Sequence, residues 1–528
     1  MASHAGRALR PVAPLSEADA WLIAYPDQFA AEGMAPLAAL RSQLDELAPE
    51  INGVHVLPFH PWSSDGGFSV IDHHEVDDRY GTWDDVAALG STCRLMADAV
   101  VNHVSARGRW FLGYLEGDPR YARFFREVSP DDDLHLLVRP RSSSPVTRYR
   151  RADGTPVDLW TTCGPDQVDL DYREPDVVLA MADVVLGYAS QGATAIRLDA
   201  VAFVGKRPGT SCVHLRETHA VVQLLRALLD ELDPGVELVT ETNVPHAENV
   251  SYLGADGVRE AQAVYQFALP PLVLHALCTG DAGPLRDWGA TLDPLPAGTT
   301  FVNFLASHDG VGVRPVEGIL GPPEVERLAD VCRAAGGVVN TYRRPGGAEA
   351  PYELTSTWFE LCRSGHDDEA GRLRHLASHA VMLALAGVPL LYVHSLFGSR
   401  NDVSTFAVTG TGRDLNRARF GPEGPPSGTR VSSELRTMLG WRRRHRAFHP
   451  WAEQRLLPAT GGLVAVERRA ADGARALVVV NLGDVSAAYA VPDGGWTTFE
   501  GDRVPAEVEM APWSSFWLTD AENRVPAG

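Results

Sequence analysis

Eight short apolar runs recur along this chain, and helical patterns lie between several of them. The runs begin at Trp21, Val54, Leu95, Ala195, Glu237, Ala263, Phe301 and Pro389. Most are nearly continuous in apolar residues, the pattern of strands buried on both faces. The segments starting at Pro175 and Val221 carry apolar residues at helical spacing, the first with proline in its opening turn. Eight strands alternating with helices predict an α/β fold, a (β/α)8 TIM barrel. A doubly wound open sheet is the rival, but no glycine fingerprint follows the first run.

Two stretches are too long for ordinary loops. One follows the third run (105–167) and one the seventh (311–370). Insertions at the carboxyl ends of barrel strands build or cover active sites. The barrel is then expected in three parts, 1–104, 168–310 and 371–448. In 449–528 two alternating segments flank Ala471-Asp472-Gly473, which reads as a hairpin in a small C-terminal β-domain.

Lys and Arg number 47 against 68 Asp and Glu, a net charge of −21. That argues against a nucleic-acid surface and against docking on anionic lipid. No run approaches the ~20 apolar residues of a membrane span, and the first residues lack a signal-like stretch. Six cysteines without a C-x-x-C pair suggest reduced thiols in a cytoplasm. No cofactor or metal is expected.

In a barrel, polar residues at the carboxyl ends of strands are where catalysis is sought. The third run leads to Asp98, Asn102 and His103, and the fourth contains Arg197 and Asp199. The fifth ends in Glu241-Thr242-Asn243, and the seventh leads to Ser307-His308-Asp309-Gly310. Singly these are weak, since an acidic residue ending a strand is more often a cap or an ion pair. As a set they place Asp199, Glu241 and Asp309 at one mouth. Two carboxylates suffice for glycoside chemistry with retention, one as nucleophile and one as acid and then base. An arginine two residues before the nucleophile shares its strand face and keeps it ionised.

The strings R-L-D-A-V, E-T-N, S-H-D-G and D-A-V-V-N-H resemble the conserved regions of the α-amylase clan of glycoside enzymes. Within that clan the chain is similar to sucrose phosphorylases and their relatives. L-P-F-H-P-W-S-S-D-G-G-F-S-V-I-D-H, V-Y-Q-F-A-L-P-P and T-G-R-D-L-N-R carry the likeness, which runs from about Trp21 to Phe420. The resemblance implies that Asp199 forms a covalent β-glucosyl-enzyme, that Glu241 is the acid/base and that Asp309 stabilises the transition state. It implies that Arg197, His103 and His308 hold the glucosyl unit and the nucleophile. Asp65 and Arg413 would close the pocket around the far hydroxyls, and Phe68 would be its apolar platform. Read alone, Asp65 is a turn residue and Arg413 a solvated arginine.

Phosphorolysis asks for cationic and hydroxyl donors on the acceptor side. Arg141, in an R-P-R stretch of the first insertion, is the candidate for phosphate. Tyr352, in the second, matches a family tyrosine that contacts acceptor or phosphate. Other positions depart from the sucrose phosphorylase pattern. Ala350 and Glu353 stand for an aspartate and a glutamine that contact fructose. Arg314-Pro315 replaces Ile-Asp, Thr242-Asn243 replaces Val-His, and Phe203 replaces a tyrosine. The strings H-S-L-F-G-S-R-N-D and P-Y-E-L resemble the branch acting on glucosylglycerate. A glycerate carboxylate calls for a guanidinium, with Arg314, Arg343 and Arg344 as candidates. The expectation is an α-glucoside phosphorylase with glucosylglycerate as donor. Sucrose, sucrose 6-phosphate and glucosylglycerol are alternative donors. A retaining α-glucosidase or transglucosylase is the alternative activity, and a non-catalytic sugar-binding scaffold the alternative class. The expected partners are a small α-glucoside and inorganic phosphate, with no nucleic acid or membrane, and a homodimer as the assembly to test.

Overall fold

The computed structural model describes residues 12–520 apart from 142, 233–234, 256, 293, 344–347 and 426–428. Arg344 therefore lies outside the described residues, as does the side chain of Arg343.

All eight apolar runs become parallel strands of one closed barrel, neighbours in chain order. They are β1 (Trp21–Ala24), β2 (Gly53–Val56), β3 (Arg94–Val100), β4 (Ala195–Asp199), β5 (Glu237–Thr240), β6 (Ala263–Tyr265), β7 (Thr300–Asn303) and β8 (Val388–Tyr392). The barrel closes through Trp21 opposite Leu390. The two-residue period of a strand sorts β4. Ile196 and Leu198 lie on one face, fully buried, and Arg197 and Asp199 on the other. Removing the Leu198 side chain would cost about 2–5 kcal/mol, because the strand is covered on both faces.

The interior face of the barrel is not wholly apolar. Asp98 on β3 accepts from Arg197 Nη1 at 2.8 and 2.9 Å and pairs with His55 Nε2 on β2 at 3.0 Å. These buried groups pair with one another, although Arg197 Nε has no hydrogen-bond partner among the described residues.

The first long interruption holds a helix (Arg109–Glu116) and a hairpin, Val146–Arg150 with Pro156–Trp160. It is tied to the barrel where His103–Ser105 pairs antiparallel with Gln167–Asp169. The second holds a helix (Pro322–Ala334) and a three-stranded sheet of Val311–Gly312, Val338–Arg343 and Glu349–Thr355. This sheet crosses directly over Gly310, whose φ is +106° and where a Cβ would lie 2.3 Å from the Leu354 carbonyl oxygen. Only glycine allows that approach beside Asp309.

The expected hairpin is present as Leu463–Arg469 with Arg475–Asn481, inside a five-stranded sheet. Val464, Val466, Val478 and Trp517 join the barrel core, while Leu463, Ala465, Leu477 and Val479 pack on the other face. Arg468 seals this junction, fully buried, donating to the carbonyls of Ala384, His449 and Ala452. Among the described residues no helix is long and apolar enough to cross a membrane.

Candidate active site

A cleft opens at the carboxyl ends of the barrel strands. Asp65, Phe68, His103, Arg141, Asp199, Glu241, His308, Asp309, Tyr352, Glu353 and Arg413 all line it. Arg197 lies directly beneath them, bonded to Asp199.

Asp199 ends β4, and its Oδ1 accepts from Arg197 Nη1 at 2.8 Å. Oδ2 has no hydrogen-bond partner among the described residues and is the oxygen available for attack. Ala200 follows in the left-handed region, φ 52°, rare for a residue with a Cβ. That turn aims its N–H at Glu241 Oε2, 3.1 Å away. The backbone strain beside Asp199 thus joins the two carboxyl groups.

Burial pushes the carboxyls of both Asp199 and Glu241 upward, and Asp199 responds in part to the charge of Glu241. The two titrate as a pair. Arg197 lies 2.8 Å from Asp199 but 3.8 Å from Glu241. Burial takes Asp199 well above the ordinary aspartate range, and the nearer guanidinium opposes that shift by favouring negative charge on Asp199 over Glu241. This is the division of labour a nucleophile and an acid require. Asp309 behaves oppositely. Burial works against its ionisation, but Arg413 and Arg417 hold it well below the usual carboxylate range. Burial and the neighbouring arginines push His308 down to about 3, so the ring is neutral.

The blind end of the cleft is a charge network. Arg413 reaches Asp65 at 2.9 Å, Asp309 at 3.0 Å and Glu353 at 3.3 Å. Burial alone would raise Asp65, yet Arg413, Arg417 and Arg141 bring it below its ordinary value. Phe68 stacks on His308 with centroids 4.7 Å apart and planes 4° apart, under the Arg197 guanidinium at 5.8 Å. An apolar face beside these carboxylates suits a flat, positively charged sugar ring.

The open side differs. Arg141 is half-buried, and among the described residues its side chain hydrogen-bonds the carbonyl of its neighbour Pro140 at 3.2 Å. No carboxylate among the described residues pairs with it. Tyr352, Phe203 and Asn243 complete this wall.

Arg314 and His103 sit differently from the rest. Arg314 is not in the cleft wall. It opens the short turn Arg314–Val316, whose Pro315 and Val316 are buried, and it lies near enough to Tyr352 and His214 to act on them electrostatically. The backbone bond from Val313 N–H to the Tyr352 carbonyl fixes the turn behind Tyr352. His103 does line the cleft, but both ring nitrogens are engaged. Nδ1 meets Asn102 Nδ2 at 3.3 Å and Nε2 meets the Phe68 carbonyl at 2.9 Å. It holds Phe68 and offers no free nitrogen to a sugar.

The sequence reading missed Arg417. Its Nε donates to the His308 carbonyl at 3.0 Å, and its Nη2 lies 3.6 Å from Asp309. It closes the string Arg413-Asp-Leu-Asn-Arg417, where a second arginine one turn on was the available signal. Gln167 was also missed; its amide donates to the Phe68 carbonyl at 3.3 Å.

Comparison with known proteins bears on this cleft. The family model described as "Alpha amylase, catalytic domain" matches residues 25–286. The chain is 44% identical over 496 residues to the glucosylglycerate phosphorylase of Spirochaeta thermophila, covering 92% of this chain and 84% of that protein. It is 34% identical over 420 residues to a sucrose phosphorylase of Agrobacterium vitis, covering 75% and 81% respectively. Among solved structures, sucrose 6F-phosphate phosphorylase from Thermoanaerobacter thermosaccharolyticum superposes with a TM-score of 0.77 at 24% identity, covering 89% of this chain and 95% of that one.

Proposed function

The chain belongs to the α-amylase family and, within it, to the sucrose phosphorylase-like subfamily, and from that premise we propose that it is a retaining phosphorylase of glucosylglycerate. The reading rests foremost on the 44% identity to a glucosylglycerate phosphorylase. A span of 92% of the chain has to include both insertions that border the cleft.

In the first half-reaction Asp199 Oδ2 attacks the anomeric carbon. The bond to the glycerate oxygen breaks as Glu241 gives that oxygen its proton. A β-glucosyl ester of Asp199 results, and glycerate leaves. In the second, a phosphate oxygen attacks the same carbon, Glu241 takes any proton it releases, and the ester bond returns its electrons to Asp199. Two inversions give α-glucose 1-phosphate. Asp309, kept ionised, stabilises positive charge on the ring in both steps.

The acceptor side suits this sequence of events. The leaving glycerate and the incoming phosphate are both anions and occupy that side in turn. Arg141, with no carboxylate partner, serves each by the same charge-assisted contacts. Arg314 strengthens the positive field from behind Tyr352. Both offset locally the chain's net charge of −21.

The test is an assay of glucose 1-phosphate release from glucosylglycerate, sucrose, sucrose 6-phosphate and glucosylglycerol, with and without phosphate. Phosphate-dependent release, fastest from glucosylglycerate, is expected. Equal rates on sucrose would sink the donor assignment. Free glucose as the main product in phosphate would make the enzyme a glucosidase.

A further inference from the structure

Lys206 does not line the cleft, yet three segments that do are fastened to its side chain. Its Nζ donates to Asn102 Oδ1 at 2.8 Å, lies 2.9 Å from Asp169 Oδ2 and donates to the Phe203 carbonyl. The Lys206 side chain is 3% exposed and that of Asp169 is fully buried. Asn102 lies two residues beyond β3, Asp169 belongs to the return strand of the first insertion, and Phe203 to the turn after Asp199.

Each grip continues into the cleft. Because Lys206 takes the Asn102 oxygen, the amide NH2 must face His103 Nδ1. That in turn puts the His103 proton on Nε2, where it bonds the Phe68 carbonyl. Phe68 is the platform stacked on His308. Asp169 receives the N–H and hydroxyl of Thr162. The Thr162 carbonyl accepts from Arg139 Nε at 3.0 Å, two residues from Arg141. The third grip holds Phe203, itself part of the open wall.

We propose that Lys206 is a positioning residue that sets the Phe68 platform and the Arg141 segment in one register against the turn after Asp199. It couples the two halves of the cleft without touching a substrate. The inference rests on the reading of the cleft as a site of glucosyl transfer.

The test compares full-length wild type, K206M and the double variant D169N/K206M, with α-glucosyl fluoride as donor and inorganic phosphate as acceptor. Fluoride release reports the glucosyl-enzyme whatever the acceptor, and glucose 1-phosphate reports the second step. The double variant leaves no unpaired buried carboxylate, so it keeps a folded enzyme to measure. Both KM values are expected to rise about tenfold in both variants, the size of losing one or two buried hydrogen bonds. A variant that was only less stable would have fewer active molecules, and so a lower kcat with both KM values unchanged. That result in D169N/K206M overturns the proposal, as does a shift in only one KM. If wild type releases fluoride but makes no glucose 1-phosphate, phosphorolysis is wrong while the donor KM still decides for or against Lys206. A wild type inert toward glucosyl fluoride overturns both.

Discussion

The two ends of the cleft are built on opposite principles. At the blind end every charge is paired. Arg413 alone contacts three carboxylates within 3.3 Å, and Arg197 holds Asp98 and Asp199 at 2.8 Å each. At the open end Arg141 and Arg314 have no carboxylate partner among the described residues. The first arrangement is rigid and preorganised around one ring shape. The second leaves positive charge unspent for ligands that come and go. Losses at the blind end should therefore be large and indifferent to the acceptor, whereas losses at the open end should be small and acceptor-specific.

The sharpest break is D199N. It should lower glucose 1-phosphate formation by about 10⁴-fold or more, because no other group in the cleft can form the ester. Turnover comparable to wild type would refute the nucleophile. E241Q comes next, with an expected loss of about 10²–10⁴-fold on donors whose leaving group needs a proton. The sign with pH follows from the pair. Asp199 must be ionised and Glu241 protonated, and burial raises both carboxyls, so kcat/KM climbs as Asp199 ionises, at a pH above the ordinary aspartate range. It then falls as pH rises through the Glu241 value. With α-glucosyl fluoride, E241Q should show no alkaline fall in fluoride release; an unchanged alkaline limb would assign it to another group.

R413A tests the paired end from behind. It leaves Asp65 and Asp309 with Arg417 as their arginine contact, at the longer 3.7 and 3.6 Å, and Glu353 with Asn340, so stability should drop toward the lower end of about 3–5 kcal/mol, since the carboxylates keep some water. Activity should fall about 10²-fold with every acceptor, read by thermal unfolding and by phosphorolysis on two donors. An effect confined to one acceptor would erase the distinction between the two ends.

That distinction also governs what could be read from the sequence. The barrel was legible because strands covered on both faces become unbroken apolar runs, and the three acidic residues because Asp199 ends such a strand, Glu241 directly follows one and Asp309 lies six residues beyond Asn303 at the end of β7. The paired end was legible in part. Arg413 was found by resemblance, but Arg417 earns its place through a bond to the His308 carbonyl across 109 positions of chain, which no local pattern encodes. His103 was seen as a residue type, while its two internal hydrogen bonds depend on how the first insertion returns to the barrel. At the open end an arginine in a loop carries no periodicity. Arg141 and Arg314 looked alike in sequence, and the Val313–Tyr352 backbone bond is what puts one in the wall and the other behind it.

R141A should act at the open end alone. Losing charge-assisted bonds worth about 1.5–3 kcal/mol raises the phosphate KM about 10–100-fold. Fluoride release from α-glucosyl fluoride in water should stay within about twofold, since the ester forms at the other end. A parallel fall in fluoride release would place Arg141 in the first step as well.

The smallest effect is expected where the two ends meet. Glu353 is 4% exposed, bonds Asn340 Nδ2 at 3.2 Å and lies 3.3 Å from Arg413. Burial raises its carboxyl despite Arg413. E353Q supplies the amide found at this place in sucrose phosphorylases and keeps an oxygen for Asn340. It should shift the ratio of sucrose to glucosylglycerate phosphorolysis toward sucrose by less than about tenfold, one hydrogen bond's worth. The shift stays small because Ala350, Phe203, Asn243 and the field of Arg314 remain unchanged. A full reversal of donor preference from this one substitution would mean that acceptor choice is concentrated in the paired network, and that the open end is less independent than its unpaired arginines suggest.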